Sequence, residues 1–315
     1  MEKSITITMT AADDGTSVEQ YLRKELQLTK AQIRSLKFRR PGIQINGLPA
    51  RTCQVLHSED RLELFLENPD DTSVRITPTN HPVEILYEDE DVICVWKPCG
   101  TATHPAGAHQ NDTLSNYVLG YLMQKNENVR IRSIGRLDLD TEGILVFAKN
   151  KIAASRLWEQ RQNHLFQKEY LALCQGSFPP DAYAQEQILS LPVIPAEDGT
   201  KRMKTSTDGP EAVTCYQALF SVPGQTETAQ PQTIVRLRLK TGRTHQIRVH
   251  MAALGHPLFG DPLYGNGVFG LTHAHLSAWK IRFWQPFTRE PVCLSHRPDR
   301  IPLPDPAEPV LQRYS

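Results

Sequence analysis

Apolar and hydroxyl residues alternate at the start of the chain, with Ile5, Ile7 and Met9 set against Ser4, Thr6, Thr8 and Thr10. That period of two predicts a half-exposed strand. The pattern then changes to a helical one in SVEQYLRKELQL, where Val18, Tyr21, Leu22 and Leu26 share a face. Thr29 with Gln32 three residues later forms a capping box and opens a second helix. Ile33 and Leu36 give that helix its apolar face, and Pro41-Gly42 stops it. IQINGLPA carries an Asn-Gly turn between short strand-like pieces, and SEDRLELFLE alternates again as a strand.

A polar stretch containing proline, NPDDTSVRITPTNHP, follows and reads as a linker. It divides the chain into a small unit over residues 1–70, a linker over 71–80 and a large unit over 81–315. In the large unit, EILYEDEDVICVWKP reads as strand, acidic turn, strand. GILVFAK, EYLALC, AVTCYQALF and TIVRLRLK are further strands, and the last sets Val235, Leu237 and Leu239 against Arg236, Arg238 and Lys240. Asn150 is placed to cap a helix through Leu157 and Trp158. Another helix is expected from about Thr244 to Leu254, with Ile247, Met251 and Leu254 on one face and Gly255 at its end. Strands outnumber helices without regular βαβ alternation. An α+β fold with a mixed, largely antiparallel sheet is therefore expected.

The composition changes this picture little. The 315 residues have an ordinary soluble make-up, with 39% hydrophobic and 22% charged. Thirty-five basic residues balance thirty-five acidic ones, so any affinity for nucleic acid has to come from local clustering. The six cysteines form no CxxC pair, which favours free buried thiols over a disulfide framework. The N-terminus has no signal-peptide pattern, and no apolar run reaches membrane-spanning length. A cytoplasmic, monomeric protein without a membrane partner is expected.

Charge does cluster in one place. Between Tyr21 and Arg40 lie Arg23, Lys24, Lys30, Arg34, Lys37, Arg39 and Arg40, opposed only by Glu25. Lys30, Arg34 and Lys37 recur at helical spacing, as phosphate contacts along one face require. On charge alone, an ordinary solvated face explains them as well. The order helix, capped basic helix, IQING turn and SEDRLELF strand resembles the alpha-L RNA-binding module of ribosomal-protein type, over residues 15–65. The resemblance implies that Lys30, Arg34 and Lys37, with Arg39 and Arg40 beside them, face RNA.

Three stretches carry the chemistry: GRLDLDTEGILVFAKN, KEYLAL and TGRTHQIRVHMAALGHPLFGDPLYG. Taken singly, Asp138 and Asp140 read as turn or capping residues and Tyr170 as packed core. Arg248 lies on a core-packed helix and needs a carboxylate partner, for which Asp138 is the candidate. In this order and at these separations, the three stretches resemble the RluA-like pseudouridine synthases. VICVWKPCG and KRMKTSTDGPEAVTCYQAL extend the resemblance over residues 80–295.

The resemblance implies a pseudouridine synthase fold and an enzyme that isomerises uridine in RNA. It assigns Asp138 as the catalytic aspartate and Arg136 as the arginine that displaces the target nucleotide. Tyr170 becomes the active-site tyrosine, a base or a stacking partner. Arg248 becomes the basic residue paired with the aspartate, and Arg243 lies near it. Ribosomal RNA is favoured over transfer RNA by the appended module. The sequence departs from the family pattern at Gly135, Glu142 and Ser277.

The reaction breaks the bond between ribose and base nitrogen, turns the base and rejoins it through carbon. Nothing is oxidised or added, so no cofactor is expected. The nucleotide must leave its stack to be reached. A metal hydrolase using His245 and His250, or His273 and His275, lacks an HExxH or a zinc-spaced Cys/His cluster. A nucleotide-dependent enzyme lacks GxGxxG and the P-loop pattern. A catalytically inactive RNA-binding protein on the same fold is the remaining rival.

Overall fold

The structure is a computed structural model that describes residues 4–26, 28–65, 76–127, 129–200, 202–222, 230–265 and 272–303. At the N-terminus, β1 (Ser4–Thr8) is followed by α1 (Val18–Lys24) and α2 (Lys30–Lys37), then by β2 (Ile43–Ile45), β3 (Leu48–Pro49) and β4 (Arg61–Phe65). Its four strands form one antiparallel sheet in the order β1-β4-β2-β3. Both helices start on capping boxes, Ser17 with Gln20 and Thr29 with Gln32. Asn46 and Gly47 both adopt positive φ, which the tight turn between β2 and β3 requires. The predicted face Val18, Tyr21, Leu22, Leu26, Ile33 and Leu36 is buried with Leu62 and Leu64 from β4. This core also takes in Ile152 from the large unit. Arg156 clamps the same contact, donating from Nε to the Leu26 carbonyl (3.3 Å) and from Nη1 to that of Pro286 (2.7 Å).

The large unit begins with β5 (Glu84–Glu88), β6 (Val92–Lys97), α3 (Leu114–Gln124), β7 (Arg132–Ser133) and β8 (Glu142–Ala148). There follow α4 (Lys151–Gln162), β9 (Gln167–Gln175), α5 (Pro180–Ala184), β10 (Gln187–Ser190), β11 (Val193–Pro195) and β12 (Met203–Thr205). The chain continues through β13 (Val213–Val222), β14 (Gln232–Leu239), α6 (Gln246–Ala253), β15 (Leu276–Trp284) and β16 (Pro291–Ser295). One ten-stranded sheet runs β10-β13-β14-β9-β15-β8-β6-β5, with β16 beside β15 and β7 beside β8. Only the β8–β15 pairing in it is parallel. The expected mixed, largely antiparallel α+β architecture is the observed one.

Two details differ from the sequence expectations. The helix expected from Thr244 starts at Gln246, because His245 adopts a left-handed backbone with φ of 55°. The Gln246 side chain accepts from the Arg243 amide and the Thr241 hydroxyl, so residues 241–245 close into a turn ahead of the helix. The cysteines are also not uniformly buried: Cys94, Cys174 and Cys215 are, while Cys53 and Cys293 are exposed. Of the linker expected over 71–80, residues 71–75 lie outside the described residues. Thr79 is bound to the large unit, its amide donating to the Asn116 carbonyl and its hydroxyl to that of Asn111.

Candidate active site

The GRLDLDTEG loop connects β7 to β8, and β8 is buried along its whole length. A rigid strand at one end of a loop fixes the loop's position. The KPCGTATH segment after β6 holds the other side. Thr103 Oγ1 donates to the Leu137 carbonyl (2.9 Å) and accepts from the Leu137 amide (3.3 Å). Lys97 Nζ donates to the carbonyls of Thr101 (2.7 Å) and Leu139 (3.2 Å), and the Gly100 amide donates to that of Leu139 (2.9 Å). Lys97 is fully buried, and burial lowers its pKa to about 8. An ammonium with no room to move is a fixed strut. The backbone on both sides of Asp138 is thus bound by side chains from a different segment. Thr103 played no part in the sequence expectations, since its role depends on a contact across more than thirty residues.

Asp138 opens onto a cavity of about 270 Å³, whose walls include Arg136, Tyr170, Arg243, His245 and Arg248. The cavity therefore gathers the loop before β8, strand β9 and the start of α6. Arg136 Nη2 lies 3.7 Å from Asp138 Oδ1, and the Arg136 side chain is 66% exposed. A loose contact with so much exposure stabilises little, so Arg136 is free to swing toward a ligand. Tyr170 is buried on β9, and burial, reinforced by the Asp138 charge and opposed by Arg161, pushes its phenol up to about 12. At neutral pH the hydroxyl keeps its proton. Arg243 is exposed at the cavity wall, and its Nε donates to the Glu211 carbonyl (3.1 Å).

Arg248 does not pair with Asp138, contrary to expectation. Its Nε and Nη2 donate to Asp261 at 2.8 and 2.7 Å, and its Nη1 lies 3.2 Å from Asp140 Oδ2. Asp140 is also bound to His273 Nδ1 at 2.7 Å, and Asp261 accepts from the amides of Leu263 and Tyr264. The reason is electrostatic: a guanidinium that is 1% exposed needs its donors filled, and two carboxylates fill them where one would leave some open. The fork-on-fork pairing with Asp261 ties α6 to the GDPLYG loop. Of two aspartates on one loop, Asp140 is committed to this network while Asp138 faces the cavity.

The structure also locates the three departures from the family pattern. Gly135 has φ of 85°, and a Cβ placed on it would lie 2.5 Å from Arg161 Nη1. Glu142 and Ser277 are partners in the parallel β8–β15 pairing, and both are buried. Each has a side-chain oxygen without a hydrogen-bond partner. Burial raises the pKa of Glu142, with Arg300 opposing. Two of the departures are thus neighbours in the sheet, at the strand end of the GRLDLDTEG loop.

Lys30, Arg34, Lys37 and Arg40 are exposed at and just beyond α2, outside the cavity lining. Arg39 instead donates to the Phe65 carbonyl at 2.5 Å, joining the end of α2 to β4. The histidines considered as metal ligands each have separate partners: His245 meets Tyr264, His250 meets Thr214 and Leu191, and His275 meets the Phe259 carbonyl. Among the described residues, no three His, Cys, Asp or Glu side chains gather as a metal site.

Comparison with known proteins identifies the family. Residues 91–253 match the family model described as RNA pseudouridylate synthase. The "Uncharacterized RNA pseudouridine synthase YhcT" of Bacillus subtilis (strain 168) is 31% identical over 288 residues, 91% of each chain. "Ribosomal large subunit pseudouridine synthase D" of Haemophilus influenzae is 36% identical over 201 residues, 63% of this chain and 57% of that one. Among solved structures, "Human RNA Pseudouridylate Synthase Domain Containing 1" shares the fold, with a TM-score of 0.55 and 24% identity over 72% of this chain and 86% of that one. Fold and family together define an RNA-modifying isomerase. The chain belongs to the RNA pseudouridylate synthase family, in its RluA-like branch.

Proposed function

We propose that this enzyme converts particular uridines of structured RNA, ribosomal RNA before transfer RNA, into pseudouridine at Asp138. The observation that carries this reading is a half-buried carboxylate left open to a cavity while its neighbour Asp140 is neutralised by Arg248. An uncommitted carboxylate on a braced loop can attack sugar or base, or remove a proton, without first breaking a buried ion pair. Arg136, largely exposed beside it, enters the space left by the flipped nucleotide and contacts phosphate. Tyr170, protonated and packed, stacks on the uracil and offers a donor rather than a base. Exposed Lys30, Arg34 and Lys37 add affinity for the folded RNA. Several relatives are named for the ribosomal large subunit, which supports ribosomal RNA as the substrate class.

Mapping pseudouridine across total RNA from cells with and without the gene tests this reading. One or a few ribosomal positions should lose the modification. They should regain it with the wild-type gene and not with Asp138→Asn. Restoration by Asp138→Asn would remove Asp138 from the chemistry, and loss confined to transfer RNA would reassign the substrate.

A further inference from the structure

A second cavity, of about 120 Å³, adjoins the catalytic one and shares Arg136, Arg161 and Tyr170 with it. At roughly 30 Å³ per water, it holds about the volume of four waters, and a phosphate group fits that space. Lys168 and Lys240 are further basic residues in its walls, and none of the described residues that line it is acidic. Among the described residues, no carboxylate forms an ion pair with Arg161, Lys168 or Lys240. Ion pairs elsewhere in the large unit are closely matched, as with Arg236 on Glu169 and Arg248 on Asp261. A cleft in which three basic residues have no carboxylate partner among the described residues is electrostatically incomplete.

The position of Arg161 is unusual. Its guanidinium lies between two glycine backbones: a Cβ on Gly135 would be 2.5 Å from Nη1, and one on Gly242 would be 3.1 Å from Nη2. Gly135 belongs to the catalytic loop and Gly242 to the turn before α6, so Arg161 reaches from α4 between the two segments that wall the site. The ring of Trp158, one turn back on α4, lies 5.0 Å from its Cζ and supports it from behind. Lys168 is on β9 two residues before Tyr170, so both project from the same face of the strand.

We propose that Arg161, with Lys168 and Lys240, holds a phosphate of the RNA strand next to the target uridine, using the space that Gly135 leaves open. Planar Arg161 supplies paired donors to two phosphate oxygens, and the lysines supply charge. Burial, and then the nearby Arg161, bring Lys168 down to about 7, with Cys94 opposing. An anion entering beside it favours its protonated form, so the pocket gains charge as phosphate arrives. A phosphate fixed here sets the sugar of the target nucleotide against Asp138. Arg161 then holds substrate and transition state alike, and acts on affinity more than on the chemical step.

The proposal rests on the RNA isomerase reading, and a binding measurement separates the two. The probe is a fluorescein-labelled uridine decamer, bound to the full chain carrying Asp138→Asn so that no turnover occurs. Fluorescence anisotropy gives log Kd against log salt. Arg161→Gln should reduce the slope by about 0.7, the share of one single-strand phosphate contact, while Arg161→Lys retains it. Gly135→Asn tolerates the left-handed backbone but occupies the guanidinium's place, so it should match Arg161→Gln and add nothing to it. With Asp138 intact, Arg161→Gln should raise KM on RNA from gene-deleted cells about tenfold and leave kcat within about twofold. An unchanged slope in Arg161→Gln, or equal slopes in the Gln and Lys variants, overturns the phosphate pocket whatever the enzyme modifies. Absence of pseudouridine formation by the wild type, with the slopes as expected, would overturn the isomerase reading and leave the pocket standing.

Discussion

Asp138 and Asp140 stand two residues apart on one loop, in opposite surroundings. Asp140 belongs to a closed network in which Arg248, Asp261 and His273 satisfy one another. Asp138 faces a cavity, and among the described residues its one ion pair is with the exposed Arg136 at 3.7 Å. The closed region makes structure: it fixes α6 against the GDPLYG loop. The open region is left incomplete for a ligand to finish. What separates the proposed catalytic carboxylate from the structural one is the share of its interactions still uncommitted.

The sharpest test of that contrast exchanges each aspartate for asparagine. Asp138→Asn should reduce turnover by about 10³-fold or more, with a melting temperature close to wild type. Asp140→Asn should lower both activity and stability, because it leaves the Arg248 Nη1 and His273 contacts short of charge. Equal loss of stability in the two variants would erase the distinction. Arg248→Met extends the test to the other half of the network. Removing one partner of a buried pair costs about 3–5 kcal/mol, so urea unfolding should shift strongly. If Arg248→Met keeps its stability and loses only kcat, Arg248 belongs to the chemistry instead.

Tyr170 sits on the open side, and its expected effects are smaller. Burial holds its phenol protonated, so Tyr170→Phe removes a donor without emptying the pocket. A fall in kcat of about 10²-fold with KM nearly unchanged is expected. Tyr170→Leu should also raise KM, since a stacked base contributes about 1–3 kcal/mol. Wild-type kcat in the Phe variant would reduce Tyr170 to a stacking wall. Smaller again is the effect of the N-terminal unit. Changing Lys30, Arg34 and Lys37 together to Gln should reduce the salt slope for folded RNA by about 2–3, with little change in kcat on a short substrate. An unchanged slope would make that helix an ordinary solvated surface.

The open and closed regions also differed in how legible they were. The N-terminal unit could be read almost entirely, because its information is local. Ser17 and Thr29 meet their capping partners three residues on, and Asn46-Gly47 makes its own turn. Asp138, Arg136 and Tyr170 could be read from motif resemblance, and the fold brings them to one cavity. The partner of Arg248 could not be. It required knowing that the loop after α6 returns Asp261 to the same helix, and nothing in the spacing favours Asp261 over Asp138. Helix α3 escaped as well, since the asparagine at its third position is a weaker capping signal than Glu or Gln. Thr103 and Arg161 act across chain separations that no local pattern records. Gly135 was visible as a departure, but its meaning depends on the arginine that fills its space.

A third carboxylate cluster, away from the cavity, offers a control whose effect should fall on stability. Glu88 accepts from Lys149 at 2.7 Å, from Lys125 at 2.8 Å and from Tyr121 at 2.8 Å. Burial alone would raise its pKa, but the hydrogen bonds from Lys125, Lys149 and Tyr121 outweigh it and bring the carboxyl from 4.5 down to about 2. Between those two values the unfolded chain holds a proton that the folded chain has released, so stability rises with pH across that window. The contribution is fully present above about 4.5 and is lost as pH falls toward 2. Urea unfolding of the wild type should therefore weaken progressively below pH 4.5. Glu88→Gln should begin less stable at pH 7, because Lys149 is buried and keeps only its contact with Glu127, and its acid loss should be shallower. If wild type and Glu88→Gln lose stability in parallel on acidification, the acid sensitivity lies in other carboxylates.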